Sequence, residues 1–204
     1  MRIGIIGTGN IGGGLGRAWA RAGHTITFGV RQTDDADTVA LAREIGATVA
    51  TIPDALASAD VIALATPFAA VAAVAGALPD WTGRIVIDCT NPIGPGFKLL
   101  HGRTDSGSEV VARLLPGARV VKSFSAQGAE VLAHPVYDGV PASNFYCGDD
   151  ADAKAVVKRL VEDVGFEAID AGGLASARYL EPITMLWITM SRSLGRDFAF
   201  KVLR

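Results

Sequence analysis

Arg2-Ile3-Gly4-Ile5-Ile6-Gly7-Thr8-Gly9-Asn10-Ile11-Gly12 opens the chain, and the fold is decided there. The first five residues are an apolar run of strand length. Gly7, Gly9 and Gly12 follow without a linker, in the spacing Gly-x-Gly-x-x-Gly. Ile11, Leu15, Ala18, Trp19 and Ala22 then recur at helical spacing. A second apolar run, Thr25 to Phe28, closes a strand–loop–helix–strand unit. In such a unit the first glycine permits the tight turn, the second lets the backbone approach a diphosphate, and the third lets helix and strand pack closely. The diphosphate would rest on the free N–H groups of the first helical turn, where the helix dipole favours negative charge. A glycine-rich turn that binds nothing is the bland alternative, and the position after a strand and before a helix argues against it.

The end of the second strand indicates which dinucleotide. A carboxylate about twenty residues past the glycines would accept hydrogen bonds from the ribose hydroxyls of NAD. The chain instead reads Gly29-Val30-Arg31-Gln32-Thr33, and its first acid, Asp34, comes too late. A guanidinium matches phosphate oxygens in a bidentate way, so Arg31, with Gln32 beside it, fits the 2′-phosphate of NADP.

With 204 residues, the chain has room for one α/β domain and a small appended lobe. Half of the residues are hydrophobic, enough for a sheet covered on both faces. A net charge of −2 gives no reason to expect nucleic acid or an anionic membrane as partner. Cys89 and Cys147 form neither a metal spacing nor a disulfide framework, which suits a reducing compartment. A strand at residue 2 leaves no room for a signal peptide, and no apolar stretch is long enough to span a bilayer. The expected location is the cytoplasm.

Beyond Gln32 the pattern predicts a helix over Asp34–Ile45, a strand over Thr48–Thr51, a helical turn over Pro53–Ala57 and a buried strand over Val61–Ala65. That strand ends at Thr66-Pro67-Phe68. A helix over Ala69–Leu78 and a strand over Arg84–Asp88 follow, the latter ending at Cys89-Thr90-Asn91-Pro92. Residues 92–104, rich in glycine and proline, read as a loop beside the site. Ser106-x-x-Glu109 reads as a capping box for a helix that Pro116-Gly117 stops. The strand at Val120-Val121 ends at Lys122-Ser123-Phe124-Ser125. Ligands of open α/β sheets lie beyond the carboxyl ends of the strands. The tips at Thr66, Asn91 and Ser125 therefore converge where a nicotinamide would lie.

The last third repeats the alternation: a strand over Asn144–Cys147, a helix capped by Asp149 or Asp150, and a strand over Phe166–Ile169. Gly172-Gly173 leads into a largely helical stretch, Leu174–Gly195, kinked or restarted at Pro182. Leu180, Ile183, Trp187, Met190 and Leu194 share one face of it, as core or subunit contact. The expected class is a Rossmann-type, doubly wound, mainly parallel sheet with a small C-terminal helical lobe. Residues 1–141 form the nucleotide-binding domain and 142–204 the extension.

No catalytic residue emerges. A carbonyl-reducing dehydrogenase needs a placed acid for the developing alkoxide. No tyrosine here has a lysine four residues on, and His24, His101 and His134 fall on predicted loops or turns as solvated residues. Lys122 is the one plausible donor near the nicotinamide, with a structural role favoured. No metal-ligand spacing occurs. Hydride passed directly between two bound redox cofactors needs orientation and dry walls, but no protein acid. From the residues alone, the chain binds NADP and its acceptor stays open.

Read as a string, the chain resembles the NADPH:deazaflavin oxidoreductases, which pass hydride between NADP and the 8-hydroxy-5-deazaflavin coenzyme F-420. The resemblance runs nearly end to end. It includes Gly7 to Gly12, Gly29-x-Arg31, Thr66-Pro67-Phe68, Cys147-Gly148-Asp149-Asp150 and, most specifically, Asp170 to Glu181. The reductase domain of the membrane ferric reductases is similar in that last stretch. The resemblance implies that Thr8, Asn10 and Ile11 contact the diphosphate and Arg31 the 2′-phosphate. It also implies that Thr66, Pro67 and Ser125-Ala126 flank the nicotinamide, that a second cofactor occupies the cleft beside the C-terminal lobe, and that the protein is a homodimer. The family often has Ser-Arg-Arg where this chain has Val30-Arg31-Gln32, and Lys-Ala-Phe-Asn-Thr where it has Lys122 to Ala126. Three readings stand. The first is a deazaflavin:NADP oxidoreductase; the second is an NADPH-dependent flavin, ferric-chelate or imine reductase; the third is a non-catalytic NADP sensor.

Overall fold

The structure is a computed structural model that describes all 204 residues. β-Branched, apolar runs give eight strands that form one sheet. They are β1 (Arg2–Ile6), β2 (Thr25–Val30), β3 (Thr48–Thr51), β4 (Val61–Leu64), β5 (Ile85–Asp88), β6 (Arg119–Lys122), β7 (Ser143–Gly148) and β8 (Glu167–Asp170). Across the sheet the order is β8-β7-β6-β5-β4-β1-β2-β3. Every neighbouring pair is parallel except β6 and β7, where Cys147 lies opposite Lys122 in an antiparallel register. β4 and β5 are buried at every residue, as strands covered on both faces must be.

The helices are α1 (Asn10–Arg21), α2 (Ala36–Ile45), α3 (Ile52–Ser58), α4 (Val71–Ala75), α5 (Gly107–Leu114), α6 (Ala129–Ala133), α7 (Ala151–Val164) and α8 (Ala177–Leu194). One core joins Leu15, Trp19, Phe28, Phe124, Val157, Leu160 and Phe166; the other joins Leu56, Val71, Trp81, Val111 and Leu115. No helix is long and apolar enough to cross a membrane.

Several boundaries differ from the sequence pattern, each for a physical reason. α2 starts at Ala36 rather than Asp34, because the Asp35 carboxylate accepts the Thr38 N–H and caps the helix. α4 is shorter than Ala69–Leu78: its first turn is a 3₁₀ segment, Phe68–Ala70, and Gly76 ends it. α8 runs through Pro182 without restarting. The break lies earlier, at the 3₁₀ turn Leu174–Ser176, and proline in the second helical turn removes one donor without stopping the helix. The stripe on α8 is graded rather than uniform: Leu180 and Trp187 are buried, Ile183 and Met190 half-buried, and Leu194 exposed. Asp150, not Asp149, caps α7 through the Ala153 N–H. Within residues 92–104, Ile93–Gly94 pairs with Lys98–Leu99 as a small hairpin.

Residues 142–204 are built into the same sheet and core. The Trp19 indole N–H donates to the Leu160 carbonyl at 2.9 Å, and its ring meets Phe124 edge-on at 5.6 Å. Phe124 in turn meets Phe166 at 6.5 Å. We propose that residues 142–204 extend the nucleotide-binding unit rather than fold apart from it. The full chain should unfold in one transition, coincident by circular dichroism and tryptophan fluorescence, while fragment 1–141 shows none. A cooperative transition in the fragment would contradict the proposal.

Candidate functional site

The site begins where β1 hands the chain to α1. Gly7 has φ +102°, and a Cβ there would lie 2.6 Å from the Ala65 carbonyl oxygen. A Cβ on Gly12 would lie 2.0 Å from the Gly7 carbonyl oxygen, so only glycine lets α1 leave the sheet so tightly. Gly9 differs, since a Cβ there meets nothing within 4 Å. It faces open space at the start of a helix that no side chain caps.

The backbone hydrogen bonds of this turn are one-sided. Gly13 N–H donates to Gly9 O at 2.7 Å, but the N–H groups of Thr8, Asn10, Ile11 and Gly12 have no acceptor within the protein. With the Gly9 N–H, which also lacks an acceptor, five consecutive donors at the positive end of a helix dipole suit an anion. The Thr8 hydroxyl lies 2.9 Å from that of buried Thr38, which ties the loop to the first turn of α2. Arg31 stands exposed beyond β2, in none of the ion pairs of the structure, with Gln32 exposed beside it.

The tips of β4, β5 and β6 lie side by side, as the parallel order demands. Thr66 is half-buried and Pro67 exposed, while Phe68 packs edge-on against the His101 ring at 5.6 Å. Asn91 Nδ2 donates to Ser125 O at 3.1 Å, joining two tips directly, and Ala126 is buried behind them. His101 is therefore half-buried against a tip rather than solvated, with Nδ1 3.9 Å from Asp105 Oδ2. His24 is also less solvated than expected, its side chain 10% exposed and Nε2 2.9 Å from Asp163 Oδ2, while His134 is exposed.

Lys122 is fully buried, and so are Asp88 and Glu181. Its Nζ lies 3.3 Å from Asp88 Oδ2 and 3.5 Å from Glu181 Oε1, and it donates to the Thr90 carbonyl. Asp88 Oδ1 also accepts the Thr90 N–H at 2.9 Å and its hydroxyl at 2.7 Å, and Oδ2 accepts the Ser108 hydroxyl. Glu181 accepts the Gly107 and Ser108 N–H groups at 2.9 and 3.0 Å. Burial pushes the Glu181 carboxyl above its ordinary range, and the Lys122 ammonium opposes that. The ammonium is thus hydrogen-bonded to Asp88 and Thr90 and ion-paired with Glu181, with no exposure to solvent. Burial likewise pushes the Cys147 thiol up to about 12 and raises Cys89 too, so neither forms a thiolate near neutrality.

The sequence pattern missed Thr38, Asp88, Glu181 and Thr184. A signal existed for Asp88: it and Lys122 each end a buried strand with a charge, on neighbouring strands of opposite sign. The capping box is half made, because Ser106 Oγ accepts the Glu109 N–H at 3.2 Å while the Glu109 carboxylate pairs with Arg178.

Residues 2–92 match the family model described as NADP oxidoreductase coenzyme F420-dependent. The F420-dependent NADP reductase of Methanothermobacter thermautotrophicus is 33% identical, over 94% of this chain and 89% of its own length. This chain belongs to that family. A candidate F420-dependent NADP reductase from Arthrobacter sp. FB24, whose crystal structure is known, superposes with a TM-score of 0.88. It is 30% identical over 99% of both chains. The rat metalloreductase STEAP3 is 29% identical over 90% of this chain but only 36% of its own length.

Gly9 and Gly12 separate two requirements of the loop. Gly12→Ala should lower the melting temperature of the free protein by several degrees, the scale of roughly 1–3 kcal/mol for overpacking. Gly9→Ala should leave it unchanged. Equal losses in thermal denaturation would contradict the geometry.

Proposed function

We propose that this protein transfers hydride directly between NADP(H) and a deazaflavin of the coenzyme F-420 type, with no proton donor of its own. The observation that carries the reading is the run of unsatisfied N–H groups from Thr8 to Gly12, next to strand tips whose buried charged groups, Asp88, Lys122 and Glu181, are already paired with one another. The residues fit the nucleotide: Gly9 leaves open the volume a Cβ would fill, and the adjacent donors suit an anion.

NADPH, when bound, would supply a hydride from its nicotinamide ring, and a bound deazaflavin would accept it together with a proton from solvent. The chain's own work is placement. The N–H groups of Thr8, Asn10, Ile11 and Gly12 hold the diphosphate, with Gly7 and Gly9 shaping the turn. Arg31 answers the 2′-phosphate, and Gln32 offers an amide beside it. Thr66, Pro67 and Phe68 form one wall of the nicotinamide position; Asn91, Ser125 and Ala126 form the floor. Preorganised contacts of this kind act through orientation and exclusion of water.

Two finer features belong to the same proposal. α8 presents Tyr179, Leu186 and Leu194 exposed by 74%, 51% and 60%, an apolar face that a second copy would cover in a homodimer. A cytoplasmic location would keep Cys89 and Cys147 as the free thiols they are here.

Purified protein offered NADPH with a deazaflavin, flavin mononucleotide, a ferric chelate or a cyclic imine should reduce the deazaflavin fastest. Faster turnover with any other acceptor would move the assignment to that reductase class, and oxidation of NADPH with none would favour the sensor. Arg31→Ala should weaken NADP binding by roughly 1.5–3 kcal/mol, the worth of a hydrogen bond to a charged group, and leave NAD binding nearly unchanged in calorimetry. Equal losses for both nucleotides would remove Arg31 from the 2′-phosphate.

A further inference from the structure

α8 reaches into the strand-tip floor with two polar side chains on its buried face. Glu181 is fully buried and holds the first N–H groups of α5, next to Lys122 at the end of β6. Its approach depends on a glycine: a Cβ on Gly107 would lie 3.0 Å from Glu181 Oε1 and 2.9 Å from Pro92 Cγ. Three residues on along the helix, the Thr184 hydroxyl lies 2.8 Å from Ser125 O and 3.0 Å from Asn91 Oδ1. Asn91 Nδ2 donates to that same Ser125 carbonyl. One hydroxyl hydrogen therefore serves both tips, and it comes from a helix whose next turn back is anchored in the buried ionic cluster. Thr184 is buried, 6% exposed, so it acts on the floor through Asn91 and Ser125.

We propose that Glu181 and Thr184 are positioning residues for hydride transfer. Through them α8 fixes the tips of β5 and β6 at one separation and so sets how closely donor and acceptor rings meet. This rests on the function proposed above. The ionic cluster sets where α8 lies, and Thr184 converts that position into the height of the Asn91–Ser125 floor. Hydride transfer responds to sub-ångström changes of distance, so loosening this contact should cost rate more than affinity.

Glu181→Gln would leave Lys122 short of a partner and risks failure to fold, so Thr184→Val, close in shape but without the hydroxyl, is the decisive variant. Wild type, Thr184→Val and Thr184→Ser are compared with NADPH and the deazaflavin, and with NADPH deuterated at the transferred position. Thr184→Val should lower kcat roughly tenfold, within the range a small misplacement produces, with the NADPH KM within about twofold. Its deuterium isotope effect on kcat should rise, and Thr184→Ser should restore both values. A kcat and isotope effect equal to wild type would overturn the proposal. So would a loss confined to KM, or one that follows melting temperature and is not rescued by serine. Wild-type protein that reduces no deazaflavin would overturn the functional reading and this proposal together, whereas an active wild type matched by Thr184→Val would overturn this proposal alone.

Discussion

The backbone N–H groups of Thr8 to Gly12, gathered without acceptors at the start of α1, are the constraint on which the rest of the structure depends. Gly9 and Asn10 are exposed and Thr8 and Ile11 half-buried, so these donors are open to water and to any ligand that displaces it. In a turn as tight as Gly7 to Gly12 no side chain comes back to satisfy them. The chain has the means to cap its helices: Asp35, Ser106 and Asp150 do so for α2, α5 and α7. Its longest-reaching helix dipole in the N-terminal half is left open, at the one place where the neighbouring glycine also leaves room. An anion with the reach of a diphosphate would suit both the open donors and the room beside them.

The second organising element is the buried cluster of Lys122, Asp88 and Glu181. Removing ions from water is expensive, and such groups persist only with excellent geometry and full hydrogen bonding. Here every carboxylate oxygen has a donor, and the α5 N-terminus contributes two of them. The cluster sits at the carboxyl ends of β5 and β6, directly beneath the tips at Asn91 and Ser125. Its consequence is specificity of position. α8 has one seat, and the two tips it touches have one separation. A fold whose chemistry asks for orientation and no protein acid would be served by rigidity of this kind.

Much of this was legible from the residues. The parallel ladder follows from apolar runs such as Val61 to Leu64 and Ile85 to Asp88, and the glycine spacing set the first crossover. What escaped was short-range or long-range in different ways. The hairpin Val136–Tyr137 with Val140–Pro141 carries an Asp138-Gly139 turn, both at positive φ, which is a recognised hairpin signal that the surrounding weak strands obscured. Phe124 adopts φ +56° to aim its ring at Trp19 and Phe166, and no local pattern announces a left-handed aromatic residue. Glu181 and Thr184 read as polar interruptions of an amphipathic helix until α5 and two strand tips are brought against them. Of the kink or restart expected at Pro182 the restart does not occur, because one missing donor matters little near a helix start.

The most direct measurement is a crystal structure of the protein with NADP bound. The account predicts diphosphate oxygens within hydrogen-bond distance of the Ile11 and Gly12 N–H groups, with the nicotinamide over Thr66, Asn91 and Ser125. A diphosphate bound elsewhere, with those N–H groups still unpaired, would contradict it.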